Sequence, residues 1–121
     1  MKKRVAASAK TRSSTRIRRA TRPTVAEIDL NAIKFNLQGI RRRVGKQVKI
    51  MAVVKANAYG HGIEEVSKAV EGSLTDYFGV ATAEEGVVLR EAGIRKPIHV
   101  FTLPTRAQAE LAAEFDMETT E

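Results

Sequence analysis

The sequence predicts an α/β fold built from parallel strand–helix units. Nearly continuous apolar runs at 48–55 (VKIMAVVK) and 77–82 (YFGVAT) are typical of strands that are buried on both faces. Segments with apolar residues at three- and four-residue steps follow these runs, as in amphipathic helices. Because strands alternate with helices along the chain, we expect a parallel sheet with right-handed crossovers.

The first elements begin after the Arg22-Pro23 step. Residues 24–30 (TVAEIDL) alternate apolar and polar side chains and predict a short strand with one apolar face. Residues 31–45 predict a helix that is capped by Asn31 or Asp29 and ends at Gly45. Its basic cluster 41–43 complements the helix dipole. One apolar stripe runs along it: Leu30, Ile33, Leu37, Ile40 and Val44.

The later elements repeat the pattern. A helix follows the strand 48–55 and carries Ile63, Val66 and Val70. Thr82 and Glu85 predict a capping box for a helix that ends at Gly93. A third strand at 97–102 (PIHVFT) precedes a helix at 105–115, and METTE (117–121) predicts the start of another strand.

Units of this length suit a doubly wound sheet or a TIM-type (β/α)8 barrel. A complete barrel of eight units needs roughly 250 residues. The 121 residues supply three units and the beginning of a fourth. The barrel interpretation therefore predicts that residues 23–121 are the amino-terminal portion of a barrel domain, truncated here.

The positive charge is concentrated at the start of the chain. The formal net charge is +7, but residues 1–22 hold nine Lys or Arg and no acid, which leaves 12 basic and 14 acidic residues elsewhere. Such a segment predicts a disordered basic tail. Three roles for this tail remain open: a solvated extension with no specific role, a transit peptide, or an arm that binds polyanions.

Other classes are excluded by composition. The chain has no cysteine, which excludes disulfides and thiolate metal sites, and no Asp, Glu or His group has metal-ligand spacing. No apolar stretch approaches the roughly 20 residues that span a bilayer. We expect a cytoplasmic protein without a membrane partner or a specific nucleic-acid partner.

Lys55 is the first candidate for chemistry. It ends the run 48–55, and ligands of βα folds bind at the carboxyl ends of the strands. A lysine that burial keeps uncharged can attack a carbonyl carbon and form a covalent bond. The alternative is a strand-end lysine that extends into water.

The residues around Lys55 resemble a known motif. VVKANAYGHG (53–62) is similar to the pyridoxal-phosphate attachment motif of the alanine racemase family. RPTVAEIDLNAIKFNL resembles the opening strand and helix of that family, and YFGVATAEEGVVLREAGIRKPIHVF resembles its next two strands with the helix between them. The resemblance covers residues 22–103. One departure is Val25, where the family commonly has Trp.

The resemblance implies a pyridoxal-phosphate-dependent isomerase that interconverts L- and D-alanine and supplies D-alanine for peptidoglycan. Lys55 would attach the cofactor and act as one of two bases, and Tyr59 would hydrogen-bond the cofactor phosphate. The second base would be a tyrosine from the carboxy-terminal domain of the other subunit of a homodimer, and neither Tyr59 nor Tyr77 matches it. The 121 residues alone are therefore expected to be inactive.

Two alternatives remain open: a related racemase with another amino-acid specificity, and a truncated, non-catalytic remnant. Neighbouring polar residues have simpler interpretations. We expect His61 to clamp a tight turn between Gly60 and Gly62, and Asn57 to bond local backbone. His99 alternates within a strand and is expected at the core or its rim.

Overall fold

The computed structural model describes the backbone of residues 2–5 and the full residues 24–72 and 74–120. Its central feature is a four-stranded parallel sheet in which each strand pairs with the next one along the chain. The four strands are Met51–Val53 (β3), Tyr77–Val80 (β4), Ile98–Val100 (β5) and Glu118–Thr119 (β6). Because every neighbouring pair is parallel and sequential, the predicted α/β fold of parallel units is confirmed, as is the strand predicted within METTE.

Helices connect the strands. They are Leu30–Val44 (α1), Ile63–Val70 (α3), Ala83–Glu91 (α4) and Arg106–Glu114 (α5), and a short segment, Lys55–Tyr59 (α2), follows β3. Thr82 caps α4 and Thr105 caps α5, each accepting a hydrogen bond from a backbone N–H of the first turn. Among the described residues, no helix is long and apolar enough to cross a membrane.

The hydrophobic core lies between one face of the sheet and the helices. Phe78 and Val80 of β4 and Ile98 and Val100 of β5 point to this side and are almost completely buried. The helices and the loop after α4 contribute apolar residues to the same cluster, among them Val66, Val70, Leu89 and Ile94. This face alone accounts for the apolar character of β4 and β5 that the sequence shows.

The opposite face of the sheet is open in the described part of the chain. Met51 and Val53 of β3 and Phe101 after β5 point to it and stay exposed by 38–40%. Gly79 lies between them, and a Cβ atom at that position would come within 2.5 Å of the Phe101 ring. The sequence predicted strands buried on both faces, and within the described residues only one face is covered.

Helix α1 differs from its prediction in burial. Asp29 caps it by accepting hydrogen bonds from the N–H groups of Asn31 and Ala32, and Gly45 follows its last residue, as predicted. Leu30 is buried, whereas Ile40 and Val44 at the other end of the stripe are exposed. The stripe is real as a pattern, but the described helices cover only its first half.

Arg41 fastens the end of α1 to the sheet. Its guanidinium donates to the carbonyl oxygen of Val48 at 2.7 Å and to the Asp76 carboxylate at 2.6 Å. The same Asp76 oxygen accepts the N–H of Ile50 at 2.8 Å. This backbone hydrogen bond, and then the Arg41 side chain, lower the pKa of Asp76 below its ordinary value of 3.8. The basic cluster 41–43 thus does more than complement the helix dipole, because Arg41 holds two loops together.

The strand predicted at 24–30 is Ala26–Asp29 (β2). It pairs antiparallel with Lys2–Val5 (β1) and is separate from the parallel sheet. The disordered tail predicted for residues 1–22 includes this strand β1, and residues 6–22 lie outside the described residues.

Candidate active site

Lys55 lies at the carboxyl end of the parallel sheet. Strand β3 ends at Val53, and the N–H of Val54 still donates to the carbonyl of Gly79 in β4 at 2.9 Å. The strand predicted at 48–55 is therefore shorter at both ends, and Lys55 begins the next segment. Its side chain is half-buried, and its amine makes no hydrogen bond or ion pair with any residue that the structure describes. The amine is thus available to a ligand at this edge.

The segment α2 that begins with Lys55 is a left-handed helical turn. Ala56, Asn57 and Ala58 have φ of 51–56° and ψ of 43–48°, and Tyr59 has φ of 53°. This conformation costs about 1–2 kcal/mol per L-residue, somewhat less for Asn. Four such residues in succession therefore require support from the surrounding structure.

Local hydrogen bonds provide part of this support. The N–H of Ala58 donates to the Val54 carbonyl at 2.8 Å, across the turn. The Asn57 side-chain oxygen accepts the N–H of Ile63 at 2.9 Å, and His61 Nδ1 lies 3.0 Å from the Ala58 carbonyl oxygen. The predictions that Asn57 bonds local backbone and that His61 clamps the turn are confirmed.

Two glycines carry the chain from this turn into α3. Gly60 and Gly62 have φ of 88° and 95°, a region that side chains with a Cβ atom rarely adopt. A Cβ atom at Gly62 would also lie 2.9 Å from a carboxylate oxygen of Glu65. The glycines in GHG are therefore required by the backbone path.

Glu85 joins this turn to the next strand–helix connection. One oxygen of its carboxylate accepts the N–H of Ala56 at 2.7 Å, and the other accepts the N–H of Ala81, directly after β4, at 2.7 Å. The sequence assigned Glu85 only to a capping box. The Thr82 hydroxyl oxygen does accept the N–H of Glu85, at 3.4 Å. The Glu85 carboxylate, however, accepts the N–H groups of Ala81 and Ala56 and not that of Thr82. The spacing of Thr82 and Glu85 carried no signal for this long-range contact.

The edge continues to the third strand. The carbonyl oxygen of Ala81 accepts the hydroxyl of Thr102, after β5, at 2.7 Å. Ala81 is therefore bonded on one side to Glu85 and on the other to Thr102. The ends of β3, β4 and β5 form one hydrogen-bonded rim, and Lys55 lies at its β3 end.

Tyr59 ends the left-handed turn, four residues after Lys55. Its side chain is 62% exposed, so it does not pack into the core as an aromatic residue. Its hydroxyl makes no hydrogen bond with any described residue. Lys55 and Tyr59 are thus carried by one short segment, and both polar groups are available.

His99 is placed away from the strand ends. It lies in the middle of β5, where its ring contacts Phe101 edge-on at 5.5 Å, and its Nε2 is 3.3 Å from the Thr120 hydroxyl. The expected position at the rim of the core is confirmed. Within the described ranges, no group of three or more His, Asp or Glu is placed to hold a metal ion.

Comparison with known families and sequences places this site in context. The family profile described as "Alanine racemase, N-terminal domain" matches residues 28–120. Alanine racemase 1 of Caldanaerobacter subterraneus subsp. tengcongensis is 48% identical over 99 residues, which cover 82% of this chain and 26% of that protein. The alanine racemase of Halothermothrix orenii is 47% identical over 100 residues, which cover 83% of this chain and 26% of that protein.

Solved structures give the same result. The alanine racemase of E. faecalis superposes with a TM-score of 0.74 at 37% identity, covering 78% of this chain and 25% of that one. The alanine racemase of Clostridium difficile 630 superposes with a TM-score of 0.73 at 36% identity, covering 76% of this chain and 25% of that one. The chain therefore spans about a quarter of the length of the relatives that it matches.

The sequence match and the fold agree over the region that contains the Lys55 turn and the parallel sheet. The described strands correspond to the amino-terminal portion of a barrel, as predicted. The chain belongs to the alanine racemase family, and its residues 28–120 match the N-terminal domain of that family.

Proposed function

We propose that this chain is the lysine-bearing part of a pyridoxal-phosphate-dependent isomerase that interconverts L- and D-alanine. The observation that carries the proposal is the Lys55 amine, which is half-buried at the carboxyl end of β3 and unengaged by any described residue. Family membership supports the reaction class. The substrate follows from the names of the relatives, which are alanine racemases.

The residues of the turn fit the cofactor. Lys55, whose amine has no partner among the described residues, would hold pyridoxal phosphate covalently through the aldehyde group of the cofactor. The Tyr59 hydroxyl, exposed on the same turn, can donate a hydrogen bond to a phosphate oxygen. Lys55 and Tyr59 are therefore the cofactor-binding residues in this proposal.

The role of Lys55 in the reaction is proton transfer. When bound, pyridoxal phosphate spreads the negative charge of the substrate α-carbanion over its ring. Lys55 Nζ would accept or return the α-proton on its own face of the substrate, as the basic form of a lysine can. The hydrogen-bonded turn would keep the amine on that face, so a proton returned by Lys55 would give one of the two enantiomers.

Racemisation also needs a proton carrier on the opposite face. The family resemblance implies a tyrosine from the carboxy-terminal domain of a second subunit, and neither Tyr59 nor Tyr77 matches it. We therefore propose a homodimer as the active form and cytoplasmic D-alanine supply for peptidoglycan as its role. A polypeptide of residues 1–121 only is expected to attach the cofactor with little or no racemisation.

The test is chemical modification. The protein is incubated with pyridoxal phosphate and reduced with borohydride, and the modified peptide is mapped by mass spectrometry. We expect modification at Lys55, its loss in Lys55→Arg, and its retention in Lys46→Arg, which changes an exposed lysine in the same way. Modification spread evenly over exposed lysines would contradict the proposal and favour the non-catalytic alternative.

A further inference from the structure

Among the residues that the structure describes, the turn that carries Lys55 makes one hydrogen bond to a distant part of the chain. The other hydrogen bonds that residues 55–62 make with described residues join positions within 54–66. The exception is the bond from the Ala56 N–H to Glu85 Oε1, at 2.7 Å across 29 positions of sequence. The left-handed turn is therefore tied to the rest of the sheet edge through Glu85.

This bond acts on Lys55 directly. The peptide group between Lys55 and Ala56 is planar and contains the Lys55 Cα, its carbonyl and the Ala56 N–H. When Glu85 fixes the direction of that N–H, it also fixes ψ of Lys55. The Lys55 side chain starts from the same Cα, so its starting direction relative to the strand ends is set by Glu85.

The second oxygen of the Glu85 carboxylate binds the backbone at the end of β4. It accepts the N–H of Ala81, which continues directly from β4 and also bonds Thr102 after β5. Glu85 itself lies in the first turn of α4 and is half-buried. The carboxylate therefore holds the turn in a fixed position relative to the ends of β4 and β5.

A capping role does not account for these contacts. In a capping box the acidic side chain returns to the N–H of the N-cap residue, here Thr82. The Glu85 carboxylate bonds Ala81 and Ala56 instead, and Thr82 caps α4 with its own hydroxyl. Each oxygen of the Glu85 carboxylate is thus occupied by one backbone N–H group, from Ala56 or from Ala81.

We infer that Glu85 is a positioning residue that holds the Lys55 amine in its reactive direction. This inference rests on the proposed attachment of pyridoxal phosphate at Lys55. The Glu85 carboxylate touches neither cofactor nor substrate in this assignment and acts through the Ala56 peptide group. Replacing it should leave the sheet and α4 in place and reduce the reactivity of one particular lysine.

The test compares Glu85→Gln and Glu85→Ala with Glu84→Gln. The glutamine has the shape of glutamate, but its one oxygen can accept only one of the two N–H groups. The bond to Ala56 is therefore either lost or weakened, because the acceptor no longer carries a charge. The control removes the same charge from the adjacent, exposed position in the first turn of α4, where the carboxylate hydrogen-bonds Thr82 and Gln108 and makes no bond to the Lys55 turn. Two rates are measured in each protein: hydrogen exchange at the Ala56 amide, and modification of Lys55 by pyridoxal phosphate, relative to the exposed Lys68.

We expect both Glu85 variants to speed exchange at Ala56 and to slow Lys55 modification by about tenfold or more, the size expected for a lost charged hydrogen bond. Lys68 modification and the control protein should be unchanged. If Lys55 is modified in the wild-type protein and the Glu85 variants match it, the inference is overturned.

If Lys55 is not modified in the wild-type protein, the proposed function fails, and the exchange rate then decides the inference alone. Faster exchange at Ala56 in Glu85→Gln would still support the anchoring of the turn, and unchanged exchange would overturn it. Glu85→Gln keeps the size of the side chain, so the comparison remains decisive if Glu85→Ala does not fold.

Discussion

Ala56→Gly should stabilise the protein, although alanine-to-glycine changes in helices normally do the opposite. Ala56 has φ of 52° and ψ of 48°, where an L-residue costs about 1–2 kcal/mol and glycine costs almost nothing. The glycine also raises the entropy of the unfolded chain, which costs about 0.4–1 kcal/mol. Ala56 is exposed, so no buried surface is lost.

The net expectation is a gain of about 0.5–1 kcal/mol in the free energy of unfolding. For a domain of this size that corresponds to a rise of about 2–8 °C in Tm. Urea and thermal unfolding followed by circular dichroism measure both quantities.

The matched control is Ala109→Gly, at an exposed position within the right-handed helix α5. It should lose about 1 kcal/mol, because glycine is unfavourable there. The two substitutions are chemically identical and should have opposite signs. If Ala56→Gly destabilises the protein as much as Ala109→Gly does, the left-handed turn is refuted.

Three further substitutions test contacts in the loops at the two ends of the strands. Because backbone and Arg41 hydrogen bonds lower the pKa of Asp76, its contribution to stability is present above about pH 3.8 and is lost as the pH falls through the lowered pKa. Asp76→Asn should therefore be less stable than the wild-type protein at neutral pH, with a difference that narrows in acid unfolding experiments. Asn57→Ala should cost about 1 kcal/mol in urea unfolding, since the Ile63 N–H loses its acceptor. Arg90→Lys should cost about 2 kcal/mol, measured in the same way, because the guanidinium donates to four backbone carbonyls that an ammonium cannot reach together.

Each of these substitutions has a contradicting outcome. A gap between Asp76→Asn and the wild-type protein that stays constant down to pH 2 would show that Asp76 is not stabilised in its charged form. Asn57→Ala with wild-type stability would mean that water replaces the side-chain acceptor. Arg95→Lys, at an exposed position, serves as the control for Arg90 and should change stability by less than about 0.5 kcal/mol. If Arg90→Lys changes stability by no more than this control, its four backbone hydrogen bonds do not stabilise the protein.

The fold was predictable because its signals are local. Apolar runs located β3, β4 and β5, and short-range caps located the helix starts at Asp29 and Thr82. Side-chain periodicity does not report which neighbour covers a face. For that reason the exposure of Ile40 and Val44 on α1, and of one side of the sheet, was not predictable.

The candidate site was predictable in its residues and not in its conformation. The motif around Lys55 and Tyr59 pointed to the family, but alanine and tyrosine give no signal for positive φ. The left-handed turn is supported by its hydrogen bonds. One of them runs from the Ala56 N–H to the carboxylate of Glu85, 29 residues further along the chain. A contact of that range leaves no periodic trace in the sequence. The roles of Lys55 and Tyr59 in holding the cofactor stay predictions.

The left-handed turn also limits how this stretch of chain can change over evolutionary time. Valine, isoleucine and threonine are strongly disfavoured at positions 56–58 for reasons of backbone geometry, whatever reaction the protein performs. Invariance at these positions would then reflect steric selection and would not identify chemical participants. Substitutions that keep the backbone conformation but remove the Lys55 amine or the Tyr59 hydroxyl would be more informative. They separate the loss of a reactive group from the loss of the turn itself.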